Sequence, residues 1–261
     1  MKIADYLLAN IDTQEKVTSV ELAEKLNVGQ ATIIRFSKKL GYKSFKNMLI
    51  DVLNADVSEQ SDEIQLTDST YATLEKIKDN YISSVRIAFE VNQSQLYDDV
   101  ADMMDQAESI VCFGYQATGG FAFYFSQSLI ELGKSAFYSS SIIETKQRML
   151  FLNNKKDIVI LVSKSGETEE VIELAKFAKS LKLKIVCISN IGQTTLSSLC
   201  DITLSFLYDS LKTRLKTYTQ NSGLIFVIDS LILTLYKKDY SKYINHSGEY
   251  KTFSRPNKYK I

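Results

Sequence analysis

The chain has 261 residues, 45% of them hydrophobic and 24% charged. That balance suits one or two packed domains and excludes disorder as the default state. Lys and Arg together number 31, as do Asp and Glu, so no global basic coat draws the chain to nucleic acid or membrane, and any such affinity has to be local.

Three scattered cysteines (Cys112, Cys187, Cys200), with no CxxC and a single histidine, argue against a disulfide framework and a zinc site. No metal and no cofactor is expected, and a reducing, cytoplasmic compartment is. The acids in MKIADYLLANID interrupt the apolar run a signal peptide needs. The longest apolar stretch, residues 223–235, is about 13 residues long and holds Asp229, too short to span a bilayer.

Residues 1–55 read as short helices with turns between them. Thr18 and Glu21 fit a capping box, opening a helix that runs to about Leu26. Asn27 then tolerates a left-handed turn, and a second helix from about Gln30 to Leu40 ends at Gly41. Leu22, Ala23, Leu26, Val28, Ile33 and Phe36 fall where a helix-turn-helix buries its seam, with Ile33, Phe36 and Leu40 as one inward stripe. Gln30, Ala31, Thr32, Ile34, Arg35 and Lys38 then face outward, the N-terminal ones within reach of base edges. Lys39, Lys43 and Lys46 lie near phosphates. From Lys25 to Ile50 there are six bases and no acid. A solvated basic face on a protein-interaction head would carry the same charge; the seam spacing, the turn residue and the charge run together favour double-stranded DNA.

Residues 56–70 form an acidic linker, and 71–107 carry helical periodicity through Leu74, Ile77, Tyr81, Ile82, Val85 and Phe89. From residue 109 the pattern turns to short apolar runs, SIVCF, KSAFY, DIVILV, KIVCIS and DITLSF, separated by helical stretches. Strands alternating with helices predict βαβ units and a parallel sheet buried on both faces. Residues 239–261 make a basic tail.

Two strand ends carry candidate chemistry. After SIVCF, Gly114 allows a sharp turn and Thr118 offers a hydroxyl at the incoming helix. After DIVILV, Ser163, Ser165 and Thr168 cluster around Gly166 where the helix from Glu169 to Leu181 begins. A helix N-terminus leaves backbone N–H groups unpaired and carries partial positive charge, so it favours an anion. Hydroxyl donors and a glycine make that a phosphate cradle with no metal. Ser165 as a mere helix cap is the plainer alternative.

The segment Ser163-Lys-Ser-Gly-Glu-Thr168, with DIVILV before it and KIVCISN after it, resembles a SIS (sugar isomerase) domain. The head, with ATIIRFSKKLGYKSFKNM, resembles that of RpiR-type transcriptional regulators, which join such a head to a SIS domain. The resemblance covers about residues 1–238. It implies an all-α helix-turn-helix domain followed by a doubly wound, five-stranded parallel sheet of flavodoxin-like order, spanning 71–238 with its leading helices. It further implies an operator-binding homodimer or homotetramer that senses a phosphorylated sugar. By position, Ser163, Ser165, Gly166, Glu167 and Thr168 match the phosphate-binding segment, and Gly114, Gln116 and Thr118 the first loop. That loop is normally G-x-G-x-S, so Gln116 stands for the second glycine and Thr118 for the serine. Gly29 replaces the common serine before the recognition helix, and Asn190-Ile-Gly-Gln-Thr-Thr-Leu196 departs from the usual loop after the next strand.

Two other readings use the same domain. A sugar-phosphate isomerase needs a general base; Glu144, Glu167 and His246 are the available groups, but an isomerase has no use for a basic head. A module that has lost its ligand, crowded out by Gln116, would still bind DNA. In the reading favoured here, helices including the 74–89 stripe and residues 224–235 pair two copies. The sugar phosphate closes the loops at Thr118 and 163–168, and the 71–107 helix carries the shift to the heads on a palindromic operator.

Overall fold

The computed structural model describes residues 3, 6, 18–40, 42, 44, 45, 48, 49, 64–208 and 218–244. Gly41, Lys43, Lys46, His246 and most of the acidic linker lie outside the described residues. By contacts the chain divides into two compact units, one comprising Met1–Asn92, Asn190–Gln193 and Ser205–Phe226, the other Gln93–Ser189, Thr194–Leu204 and Val227–Ile261.

In the head, helix α1 spans Ser19–Leu26 and α2 spans Gln30–Lys39. The capping box forms as expected: the Thr18 amide donates to Glu21 Oε2 (2.7 Å) and the Glu21 amide to Thr18 Oγ1 (3.1 Å). These bonds are also what holds the Glu21 carboxyl below its ordinary value. Asn27 ends α1 at φ 51°, ψ 50°, the left-handed conformation that Asn tolerates better than most residues. Leu22, Ala23 and Ile33 are buried, with Leu26, Val28 and Phe36 packed against them. The inward stripe on α2 differs from expectation at its last member. Leu40 is 55% exposed, and Ser37 is buried in the stripe instead. The Ser37 hydroxyl donates to Ile33 O (3.2 Å) and Ile34 O (3.0 Å), so a polar side chain is satisfied by its own helix.

The 71–107 segment is two helices, not one: α3 over Thr70–Val91 and α4 over Ser94–Gln106. The break is at Asn92, whose buried amide donates to Ala88 O and Ser205 O and accepts from the Ser205 amide, each at 2.7 Å. In α3, Leu74, Tyr81, Ile82 and Phe89 stand exposed, while Ser84, Ile87 and Ala88 are buried. Gly223 meets α3 closely enough that a Cβ would fall 2.8 Å from Ser84 Oγ.

The sheet has five parallel strands, β1 Ile110–Gly114, β2 Ala136–Tyr138, β3 Ile158–Ser163, β4 Lys184–Asn190 and β5 Ile202–Phe206, in the order β2-β1-β3-β4-β5. Each follows one of the five apolar runs within a residue or two. Between them come α5 Ala117–Glu131, α6 Ile142–Met149 and α7 Glu169–Ser180, and α8 Asn221–Lys238 follows the sheet. One face of the sheet contributes Val111, Phe113, Val159, Leu161, Ile185 and Cys187 to a core with Val171, Leu174, Ala175 and Ala178 of α7. The alternate residues Cys112, Ile160, Val186 and Ile188 are buried equally, as strands covered on both faces require. Burial pushes the Cys112 thiol up to about 12, leaving it a neutral core residue.

The N-terminal ends of the strands are tied by carboxylates. Asp157 accepts from the amides of Glu108, Ser109 and Asn153, and Asp201 from the amide of Ile185. At the opposite ends, Gly114 pairs with Val162 and Ser163 with Ser189. The loops leaving β1, β3 and β4 therefore emerge side by side, where open α/β sheets place ligands.

Candidate functional site

The loop after β3 is organised by its own hydroxyls. Ser163 is 1% exposed; its Oγ accepts from the Gly166 amide (3.1 Å) and lies 3.1 Å from Thr168 Oγ1. Ser165 Oγ accepts from the Glu167 amide (3.1 Å). Because the Ser165 oxygen accepts this amide, its hydroxyl proton is left to donate outward. Ser165 does not cap the helix. The N-cap of α7 is Thr168, with no side-chain cap hydrogen bond, so the first amides of that helix face the loop. Gly166 sits at φ +71°, and a Cβ there would lie 2.4 Å from Thr194 Oγ1 and 2.7 Å from Ser189 Oγ.

What crowds Gly166 is a scaffold that the motif alone does not reveal. Ser189 Oγ donates to Ser163 O (2.9 Å). In the turn after β4, the Thr194 amide donates to Ser197 Oγ (2.9 Å) and the Ser197 amide to Thr194 Oγ1 (3.0 Å). Glu167 Oε1 accepts from the Thr195 amide (2.8 Å), and Gly166 O from the Leu196 amide (3.0 Å). The only sequence sign of this arrangement is the run of hydroxyl residues in NIGQTTLSS.

In the loop after β1, Thr118 stands at the helix entrance as expected, with its hydroxyl engaged locally. It is the second residue of α5, 8% exposed, and donates back to Tyr115 O at 2.7 Å. Gly114 is required less for a special φ than for space, since a Cβ there would lie 2.5 Å from Thr118 O. The N-cap of α5 is Gln116, at φ 49°, ψ −120° and without a side-chain cap bond. Two side-chain interactions cross between the loops. Glu170 in the first turn of α7 raises the Tyr115 phenol above its ordinary range. The Lys164 ammonium lies 5.7 Å from the centroid of the Phe121 ring in α5, and desolvation lowers its pKa.

On the head, Gln30, Ala31, Ile34, Arg35, Lys38 and Lys39 are exposed and Thr32 is partly so, so the expected outward face exists. Gln30 Nε2 donates to Ser19 Oγ (3.1 Å), fastening the start of α2 to α1, and Arg35 Nε donates to Ala31 O (3.3 Å) along its own helix. Among the described residues no cluster of His, Cys, Asp and Glu has metal-binding geometry, and no helix is long and apolar enough to cross a membrane.

Family comparisons match both halves. Residues 1–59 match the helix-turn-helix domain of the rpiR family, and residues 103–218 match the SIS domain. An HTH-type transcriptional regulator of Providencia stuartii is 23% identical over 91% of this chain and 86% of its own length. The HTH-type transcriptional regulator HexR of Escherichia coli is 25% identical over 73% of this chain and 67% of its own. Among solved structures, the Vibrio vulnificus NanR protein complexed with ManNAc-6P superposes with a TM-score of 0.64 at 24% identity, covering 96% of this chain and 90% of that one. With its helix-turn-helix head and its parallel SIS sheet, the chain belongs to the RpiR family of transcriptional regulators.

Proposed function

We propose that the chain regulates carbohydrate metabolism by binding operator DNA with an affinity set by a phosphorylated sugar in its SIS domain. The observation that carries this reading is the loop after β3, where three hydroxyls and a glycine at φ +71° meet a helix N-terminus that no side chain caps. That combination favours a phosphoryl group, and the likeness to NanR, which is complexed with ManNAc-6P, supports a phosphosugar. Ser163, Ser165, Gly166, Glu167 and Thr168 hold the phosphate; Gly114, Gln116 and Thr118 form the facing wall, Thr118 by shaping the turn. Residues 1–55 read DNA, with Gln30, Ala31, Thr32, Ile34, Arg35 and Lys38 at base edges and Lys39, Lys43 and Lys46 at phosphates. Residues 56–70 link this head to the sensor at 71–238, ahead of the basic tail at 239–261. A second copy of the chain covers the exposed stripe of α3 and brings two heads to a palindromic operator in the cytoplasm.

The domain acts as a sensor and not as an isomerase. Glu167 is committed to the Thr195 amide, and Glu144 accepts from Ser139 Oγ at 2.5 Å, so both carboxylates are engaged in holding loops. The test is a fluorescence-anisotropy titration with DNA from upstream of the chain's own gene, with and without pooled sugar phosphates. Saturable, salt-sensitive binding that the pool shifts is expected. Binding indifferent to the pool would leave a regulator without this effector, and turnover of any pool member would restore the isomerase.

A further inference from the structure

The loop after β3 holds one charged side chain that the hydroxyl cradle does not use. Lys164 stands between Ser163 and Ser165 and is half-buried. Its ammonium reaches across to α5 and lies 5.7 Å from the centroid of the Phe121 ring, one turn into that helix. A cation–π contact replaces only part of the hydration such a cation gives up, and desolvation lowers the Lys164 pKa accordingly. The charge around it is one-sided. In the segments that leave β1, β2 and β3, residues 114–121, 139–144 and 163–170, Lys164 is the one base, against Glu144, Glu167, Glu169 and Glu170. The hydroxyls and amides of the cradle are neutral donors, whereas a phosphate monoester carries about 1.5–2 negative charges at pH 7. Within these segments only Lys164 can balance that charge. Its ammonium is a point charge on a flexible stem, suited to following a phosphate oxygen.

Resting on the function proposed above, we infer that Lys164 is a further effector-binding residue, whose ammonium leaves the Phe121 ring to pair with the phosphate in the hydroxyl loop. The exchange is favourable because a charge-assisted hydrogen bond to phosphate is stronger than a cation–π contact at a half-exposed site. Phe121 is the positioning residue: it keeps the ammonium between the loop after β3 and α5. The group selected is a phosphoryl dianion, since a free sugar offers the ammonium no charge to meet.

Two measurements on the full chain test this. Calorimetry at low and at physiological ionic strength follows the binding of inorganic phosphate and of a panel of pentose and hexose phosphates. Lys164→Met keeps an apolar stem against Phe121 and removes the charge. It should bind inorganic phosphate and the best sugar phosphate about tenfold more weakly, with a shallower dependence on salt. Lys164→Arg keeps the charge and should stay within about threefold of the wild type. The second measurement needs no variant: acetylation of lysines by an activated acetyl ester, read residue by residue by peptide mass spectrometry. Saturating inorganic phosphate should slow the acetylation of Lys164 severalfold and leave the exposed Lys176 and Lys179 of α7 unchanged. Equal affinity and salt dependence in Lys164→Met, or acetylation of Lys164 that phosphate does not slow, overturns the inference while the effector site stands. A wild type that binds neither phosphate nor any sugar phosphate overturns both.

Discussion

At Gly166 an added methyl group would meet Thr194 Oγ1 and Ser189 Oγ at under 3 Å, on backbone at φ +71°. Gly166→Ala therefore combines strain with overpacking, about 2–4 kcal/mol in all. Chemical denaturation should show that loss, and effector titration should show weaker binding, because relief comes only by moving the hydroxyl loop off its scaffold. The hydroxyls of this loop were legible in the sequence because Ser163, Ser165 and Thr168 are neighbours in the chain. Ser189, Thr194 and Ser197 were not, since only the pairing of β3 with β4 brings them underneath. The local donation of the Thr118 hydroxyl to Tyr115 O was not legible, because a hydroxyl near a helix start satisfies itself equally well on a local carbonyl. On the head, Arg35 and Lys39 separate two kinds of DNA contact. Arg35→Ala should cost operator binding about 1–3 kcal/mol and relax sequence preference. Lys39→Ala should weaken operator and random DNA alike and reduce the salt slope by about one. Equal effects of Arg35→Ala on both DNAs would remove it from base reading.

The elements themselves divide by how locally their signals are written. All five strands were legible because each is a short apolar run, buried throughout in β1 and β3 and half-buried at the β2 edge, and the head helices because the capping box, Asn27 and Gly29 mark their ends. The division between α3 and α4 was not, because helical periodicity continues through it and its cause lies 113 residues away. There Asn92 serves as a surrogate strand partner, exchanging two hydrogen bonds with the backbone of Ser205 and a third with Ala88. Asn92→Ala removes all three of these buried hydrogen bonds. A single unsatisfied buried group costs about 1–3 kcal/mol, so a loss of at least about 2 kcal/mol in urea unfolding is expected. Asn92→Asp keeps the acceptor; ionised it loses both donations and protonated it recovers one, so it should fall between Ala and the wild type only where its carboxyl is protonated. Its stability should accordingly improve as the pH is lowered toward 4.

For the whole molecule the proposed function makes a geometric demand. Two α2 helices reading one face of a duplex sit about 34–36 Å apart, one turn of about 10–10.5 base pairs. The operator should be a palindrome whose half-sites have that spacing or a multiple of it. Inserting half a turn between the half-sites rotates one to the far side of the duplex, so affinity should drop to that of a single half-site, whereas inserting a full turn should restore part of it. The effector acts on this arrangement only through its differential affinity for the two states, and coupling of that kind is typically about 1–3 kcal/mol, or 5- to 150-fold. Linkage is reciprocal, so saturating operator DNA must change sugar-phosphate affinity by the same factor that saturating sugar phosphate changes operator affinity. Calorimetric titration of effector into the free protein and into its operator complex measures the first factor, and anisotropy measures the second. On half-turn DNA, where the second head has no site, the coupling per complex should shrink toward that of one head. If it does not, the effector acts on each head separately, and its signal does not pass through the spacing of the pair.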